Sequence, residues 1–137
     1  MRGQITHADE VDGVTRGSGI STLPFFGEWS GAMQMSTGMT VFPPGGGVVM
    51  HSHNVEECVT VIEGEGTAVI DGEEFAVRTW STTWIPAGVP HRFYNSGSGQ
   101  MRILWVYGDA DVTRTVTETG ETFKHLSASD RQTGSKG

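Results

Sequence analysis

Residues 45–64, GGGVVMHSHNVEECVTVIEG, place two histidines and a carboxylate at the spacing of a β-strand. His51 and His53 are two residues apart, so on an extended strand, where side chains alternate between faces, both imidazoles point the same way. Glu57 opens a β-branched run that can pair back as the next strand and bring its carboxylate to the same place. The same alternation predicts that Glu57 points inward and that Glu56 faces solvent. This stretch therefore predicts one side of a metal site.

A second stretch, residues 85–95 with the sequence IPAGVPHRFYN, supplies a third histidine, His91, after several turn-forming residues. Three imidazoles and one carboxylate make a ligand set that suits Fe(II), Mn, Ni, Cu or Zn and leaves positions for water or a substrate. A lone His-x-His pair is common without a metal, but a third histidine and a carboxylate at these spacings favour one. We therefore predict one divalent transition metal, whose identity the residues leave open.

The two stretches resemble the two sequence motifs of the cupin superfamily. The pattern G-x5-H-x-H-x3-E-x6-G over residues 45–64 is similar to the first motif, and P-x-G-x2-H-x3-N over residues 86–95 is similar to the second. One position departs from the family pattern, because Trp80 stands where the second motif usually begins with a glycine. The resemblance implies a small jelly-roll β-barrel that holds a single metal through four ligands, His51, His53, Glu57 and His91.

The periodicity of the whole chain independently favours an all-β fold. Short β-forming runs alternate with turn residues, 20 of the 137 residues are glycine, and no convincing helical period occurs. A chain of this length is enough for one domain. We expect an N-terminal arm at residues 1–22, the barrel domain at residues 23–126 and a disordered tail at residues 127–137.

Composition limits the classes of partner. A net charge of −7 and a pI near 5.1 argue against nucleic acid and against an anionic membrane surface, since both require a basic face. No apolar run has the length of about 18 residues that a membrane span needs. The single cysteine, Cys58, excludes an internal disulfide, fits a reducing compartment and is interpreted as a buried structural thiol. We therefore expect a cytoplasmic protein.

Candidate pocket residues follow from strand alternation. Phe93 shares the face of His91, and residues 32–42 are predicted to form a strand with a bulge at Gly38. Apolar strand residues often serve only as core, but some of these should line the site. The candidates are Phe93, Met33, Met35, Trp105 and Tyr107.

The predicted ligand set allows several activities. Two open coordination positions favour a dioxygenase that acts on an enolisable or aromatic compound. The alternatives are a redox-free isomerase, cyclase or lyase, and a non-catalytic protein that binds a small molecule. A redox-free reaction needs a general base, and because no spare inward histidine or carboxylate can be placed, Glu57 itself is the hypothetical catalytic base. Open sheet edges favour a homodimer.

Overall fold

The computed structural model describes residues 2–128 and residue 130. Its described part contains twelve β-strands and two short 3₁₀ helices, Ala8–Glu10 and Glu28–Ser30, and no α-helix. The strands are β1 (Val14–Gly17), β2 (Ile20–Phe26), β3 (Ser36–Phe42), β4 (His51–His53), β5 (Glu57–Glu63), β6 (Glu65–Ile70), β7 (Glu73–Arg78), β8 (Thr82–Ile85), β9 (His91–Tyr94), β10 (Met101–Tyr107), β11 (Thr113–Val116) and β12 (Thr122–Lys124). None of the described helices is long and apolar enough to cross a membrane.

The strands form two six-stranded antiparallel sheets. The first has the order β1-β2-β3-β10-β5-β8 and the second the order β12-β11-β4-β9-β6-β7. Consecutive strands lie in different sheets at several points along the chain, which gives the double-sheet closure of a jelly roll. The predicted all-β fold with a jelly-roll barrel is confirmed.

The core lies between the two sheets because alternate residues of each strand face it. In β10 the inward residues are Met101, Ile103, Trp105 and Tyr107, each at most 5% exposed, whereas the intervening residues are only partly buried. In β5 the inward positions include Val59 and Val61, and Phe93 faces the core from the second sheet. This alternation places polar inward residues of the same strands in the barrel interior.

Two turns show how local sequence sets the strand connections. Asp71 and Gly72 both have positive φ, 51° and 82°, which is the backbone of a tight two-residue hairpin between β6 and β7. Trp80, at the position where the family pattern has glycine, adopts φ 76° and donates its amide to the Val61 carbonyl at 2.7 Å. The turn before β8 therefore keeps a left-handed residue although its side chain is not glycine.

The strand predicted over residues 32–42 begins later, at Ser36. Gly38 pairs regularly with Trp105, and the irregularity lies instead in β2, between Pro24 and Phe26. Gly38 is required for packing, since a Cβ there would lie 2.6 Å from the Leu23 carbonyl oxygen and would overlap the Trp105 indole. The glycine therefore marks a close approach of a neighbouring ring rather than a bulge.

The chain's flanking segments also differ from expectation. Strand β1 begins at Val14 and pairs with β2 inside the first sheet, so residues 14–22 are part of the barrel instead of an arm. Most of the predicted disordered tail, residues 129 and 131–137, lies outside the described residues. Asp130, within that predicted tail, is 1% exposed and pairs with two arginines.

Candidate metal centre

Strands from both sheets bring the predicted ligands together between the sheets. In the second sheet, the register pairs His51 of β4 directly with His91 of β9, and His53 follows on the same face of β4. In the first sheet, Glu57 is the first residue of β5 and pairs with Tyr107 of β10. The four predicted ligands therefore converge in the barrel interior.

Backbone carbonyl groups orient all three imidazoles. His51 Nδ1 lies 2.6 Å from the Val49 oxygen, His53 Nδ1 3.0 Å from the Thr113 oxygen and His91 Nδ1 2.9 Å from the Val89 oxygen. A carbonyl can only accept, so each Nδ1 carries the proton and each neutral ring keeps its Nε2 lone pair free. Such second-shell bonds are typical of metal-binding histidines.

The distances within the cluster fit a shared cation. The possible ligand atoms of His51, His53 and His91 lie within 4.8 Å of one another. Glu57 Oε1 lies 2.9 Å from His91 Nε2 and 3.6 Å from His53 Nε2. A carboxylate and an unprotonated Nε2 both accept hydrogen bonds, so a proton or a metal ion must lie between them. The geometry and the donor set therefore fit a divalent transition metal.

Burial and mutual charge shift the acidities of the cluster. Burial, followed by the charges of the other imidazoles, holds the pKa of His51 well below its ordinary value, and burial lowers the pKa of His53. Burial opposes ionisation of Glu57, but His53 and His91 overcome it and lower the pKa of the carboxyl. The hydrogen bond and charge of Glu57 likewise outweigh burial and raise the pKa of His91. Two imidazoles and the carboxylate are thus already in the state that binds a metal near neutral pH.

A small cavity of about 40 Å³ adjoins the cluster, and we call it the inner cavity. Phe93, Trp105 and Tyr107 lie on its wall, as the sequence predicted. The other two candidates do not, because both precede the first residue of β3: Met33 is 81% exposed and Met35 is 45% exposed. The strand alternation used to place them inward does not apply outside the strand.

A further histidine, which the sequence analysis did not place, lies on the same wall. His125 follows β12, and its ring centroid is 4.9 Å from that of Tyr107, 5.1 Å from that of Trp105 and 6.3 Å from that of His53. Burial lowers the pKa of His125 to about 3, so the imidazole is neutral near pH 7. Neither its spacing from the other histidines nor its local sequence resembles a motif, and only the chain reversal after β11 brings it here.

Tyr107 has a direct contact with the cluster. Its hydroxyl lies 3.3 Å from His53 Nε2 and also hydrogen-bonds to the Glu57 carboxylate, to which it donates because a carboxylate can only accept. Burial and the neighbouring charge of Glu57 raise the pKa of Tyr107 well above its usual value. Tyr107 therefore remains a proton donor at the site.

The outward face of the same strands shows one confirmed and one wrong prediction. Glu56 is exposed, and its carboxylate accepts a hydrogen bond from Trp84 Nε1 at 2.9 Å, whereas Glu57 is 5% exposed. Cys58 faces away from the cluster as expected, but it is exposed rather than a buried structural thiol. Among the described residues, nothing covers the outer face of β5 at Cys58, so a side chain that points away from the core there faces solvent.

Comparison with known proteins finds both the same fold and similarity in sequence. A cupin-domain family model matches residues 38–107, which contain all four predicted ligands. An uncharacterized protein of Methanocaldococcus jannaschii is 32% identical over 73 residues, 53% of this chain and 58% of that protein. The polyketide synthase CurC of Streptomyces cyaneus is 32% identical over 110 residues, 77% of this chain and 69% of that protein.

Among solved structures, the polyketide cyclase RemF from Streptomyces resistomycificus superposes with a TM-score of 0.72 at 18% identity, covering 94% of this chain and 89% of RemF. A predicted oxalate decarboxylase from Thermotoga maritima superposes with a TM-score of 0.68 at 18% identity, covering 77% of this chain and 99% of that one. The family match over residues 38–107, together with the jelly-roll fold, shows that this chain belongs to the cupin family.

Proposed function

We propose that this protein is a metal-dependent, redox-free cyclase that acts on a small molecule in which two carbonyl groups are separated by one carbon, such as a poly-β-ketone. The observation that carries the proposal is the neutral imidazole of His125 beside the ligand cluster. From the sequence alone, two open coordination positions favour a dioxygenase, and a redox-free reaction lacks an inward base other than Glu57. His125 supplies that base, so Glu57 can remain a ligand.

The relatives support this choice of reaction. CurC, which aligns with 77% of this chain, is named a polyketide synthase, and RemF is named a polyketide cyclase. The similarity to CurC extends beyond the family model on residues 38–107 into the flanking segments of this chain. Burial that lowers the pKa of His125 to about 3 makes its imidazole a weak base, so the proposed proton transfer requires that the metal, when bound to the carbonyl oxygens, would lower the pKa of the carbon between them.

The residues of the site divide the chemical work. His51, His53, Glu57 and His91 would hold the metal, which when bound would supply Lewis acidity toward carbonyl oxygens. The neutral imidazole of His125 accepts the proton from the carbon between two carbonyl groups. That carbon then attacks a second carbonyl carbon of the same molecule, and a new C–C bond closes the ring.

Tyr107 and the apolar wall complete the reaction. The oxygen of the attacked carbonyl becomes an alkoxide, and the hydroxyl of Tyr107 is placed to donate a hydrogen bond or a proton to it. The proton that His125 accepted passes to the product alkoxide, directly or by way of the Tyr107 hydroxyl, so both side chains end in their starting protonation states. Phe93 and Trp105 on the cavity wall exclude bulk water, which strengthens these electrostatic interactions.

The test is turnover of a linear aromatic triketone whose third carbonyl is separated from a 1,3-dicarbonyl unit by three methylene groups, so that the carbon between the two carbonyls can close a six-membered ring. The protein is purified without a nickel column or chelator, and its metal content is measured. We expect ring closure in the absence of oxygen. The His125→Asn substitution should lower kcat by about 10²- to 10⁴-fold with metal content unchanged, whereas His7→Asn, the same change at an exposed site, should have no effect. Full activity of the His125→Asn variant would contradict the proposal.

A dioxygenase is the second candidate, and the ligand set favours it. Three imidazoles and one carboxylate suit Fe(II), and four ligands leave two octahedral positions where a substrate and O₂ can bind side by side. Oxygen uptake that depends on about one equivalent of iron, manganese, nickel or copper would identify this activity. Ring closure without oxygen uptake would reject it.

A further inference from the structure

A buried arginine lies on the wall of the inner cavity and has a guanidinium N–H without a hydrogen-bond partner among the described residues. Arg16 of β1 is 2% exposed and lies on the cavity wall together with His51, Glu57 and His91. Its Nη2 lies 2.7 Å from Asp130 Oδ2, but its Nε has no hydrogen-bond partner among the described residues. A buried guanidinium N–H without an acceptor is costly, so it points to an acceptor supplied by a ligand.

The charges around Arg16 indicate that this acceptor is an oxygen with negative charge. Asp130 is shared between two guanidinium groups, because Arg114 Nε also donates to its carboxylate. One carboxylate therefore faces two permanent positive charges. Glu57, the other acid of the cavity, is directed to the histidines. An enolate or carboxylate oxygen of a ligand would balance the remaining positive charge.

The size of the inner cavity limits what else can enter it. About 40 Å³ holds only a few atoms, so the rest of a substrate must lie elsewhere. A larger cleft of about 470 Å³, which we call the outer cleft, shares the His125 wall with the inner cavity. This volume is in the range of small-molecule sites. His125 lies on the wall of both spaces, so a molecule that occupied both would have to pass this side chain.

The lining of the outer cleft indicates an uncharged, apolar occupant. Its wall is formed largely by apolar side chains: Val14, Pro24, Trp29, Val112 and Leu126. Its only charged pair is Lys124 and Glu28, whose Nζ and Oε2 are 2.6 Å apart, so their charges cancel. Trp29 is 50% exposed and offers an aromatic face to a planar ligand.

We propose that Arg16 binds an enolate or carboxylate oxygen of the substrate, while the aromatic, otherwise uncharged body of the substrate lies in the outer cleft. Binding of this substrate does not depend on the proposed function. Only the reaction that follows binding does. All lining residues of the outer cleft, and Arg16 itself, lie outside the family-model match at 38–107, whereas the metal ligands lie inside it. The flanking segments thus select the substrate for a metal centre that the cupin domain provides.

The test uses two probes of equal shape, 2-naphthoate and its neutral analogue 2-acetylnaphthalene, titrated calorimetrically into metal-loaded and metal-stripped protein. We expect wild-type protein to prefer the carboxylate by about ten- to hundredfold. Arg16→Met should abolish this preference without changing the affinity for the ketone. Arg102→Met is the control, because Arg102 pairs with Glu63 on the outer surface. Ala110→Phe, which fills the outer cleft, should weaken both probes about tenfold, and Ala76→Phe on exposed β7 should weaken neither.

If circular dichroism shows that Arg16→Met does not fold, Arg16→Lys replaces it, since lysine keeps the charge beside Asp130 but lacks the Nε donor; it should weaken the carboxylate about tenfold. Wild-type affinity for 2-naphthoate in the folded arginine variant, or no binding of either probe to wild-type protein, would overturn the inference. Failure of triketone turnover alone would overturn the proposed function and leave this binding result standing.

Discussion

At the scale of single residues, the charge of the predicted metal centre depends on Glu57. It is the only acid that touches the imidazole cluster among the described residues, and it contacts two of the three histidines. Its negative charge compensates the positive charge of a divalent ion in a buried site, where an uncompensated charge would be costly. The neighbouring Glu56 has the same chemistry but lies in solvent, which gives an internal control.

Glu57→Gln should weaken metal binding by at least about tenfold, because the amide keeps the shape but removes the charge and one strong oxygen ligand. The measurement is competition with a fluorescent chelator at constant pH. Glu56→Gln should bind metal as the wild type does. Retention of metal by Glu57→Gln with loss of turnover would instead support the hypothesis that Glu57 acts as the catalytic base.

Metal affinity should fall as the pH is lowered through the titration of His91. Its pKa is raised above 6.5 because Glu57 bonds to it, so in metal-free protein this imidazole binds a proton more readily than the other two. The metal must displace that proton. Metal titrations at a series of pH values should show that the affinity rises with pH and then becomes constant once His91 is neutral. A flat profile would mean that His91 is not a ligand.

The predicted ligands could be recognised from sequence because they lie close together in it. His51, His53 and Glu57 fall within seven residues, and strand alternation alone decides which way they point. His125 and Arg16 could not be recognised in this way. Arg16 lies in the local β1–β2 hairpin and His125 follows the local β11–β12 hairpin. Each hairpin reaches the barrel only because its inner strand pairs with another strand, β2 with β3 and β11 with β4, and neither residue stands in a motif.

At the scale of elements, the packing of β3 against β10 sets the width of the barrel near the site. Gly38 allows the Trp105 indole to lie flat across β3, and Trp105 Nε1 donates to Thr40 at 3.0 Å. Trp105 in turn forms part of the wall that His125 contacts. A change in this strand pair should therefore reach the cavity.

Gly38→Ala should destabilise the protein by about 1–3 kcal/mol, because the added methyl group overlaps the Trp105 ring and the Leu23 carbonyl. Chemical denaturation of metal-free protein measures this change. Gly99→Ala is the matched control, since an added Cβ there meets no atom within 4 Å. Equal stability of the two variants would show that β3 shifts without cost.

Element predictions were accurate where a strand was long and regular. Buried and partly buried residues alternate regularly along the apolar strand β10, and Asp71 and Gly72 form the tight hairpin that their residue types favour. The prediction for residues 32–42 placed Met33 and Met35 inward because it assumed an extended backbone before Ser36. Strand ends depend on pairing with neighbours, which local residue patterns do not contain.

Across the whole molecule, a buried ion cluster joins the N-terminal and C-terminal parts of the described chain. Asp130 pairs with Arg16 of β1 and Arg114 of β11, and its Oδ2 accepts the Leu126 amide at 2.8 Å. These bonds hold the segment that carries His125 against the barrel. The expected homodimer and cytoplasmic location stay predictions at this scale.

Asp130→Asn should lower the free energy of unfolding by about 3–5 kcal/mol near pH 7, since two buried guanidinium groups lose their counter-charge. Burial raises the pKa of Asp130, but Arg114 and Arg16 lower it below its ordinary 3.8. The stabilisation that ionised Asp130 provides is therefore present above pH 3.8 and is lost as the pH falls through the folded-state pKa.

The difference between wild type and Asp130→Asn, measured by urea denaturation of metal-free protein, should accordingly shrink as the pH falls below 3.8. Asp12→Asn, a change of the same chemistry at an exposed position, should leave stability unchanged. A difference that is constant with pH would show that Asp130 is not ionised in the folded protein.

The carbonyl groups of Val49, Val89 and Thr113, which orient the three imidazoles, belong to the main chain. Replacing a side chain at those positions leaves the backbone oxygen and its hydrogen bond to the imidazole in place. The hydrogen bonds that orient the predicted ligands are therefore largely insensitive to point mutation. Whether the predicted metal site persists depends on the ligand residues themselves. The side chains that line the outer cleft have no such protection, so substitutions there would change what the cleft binds while leaving the supports of the predicted ligands in place.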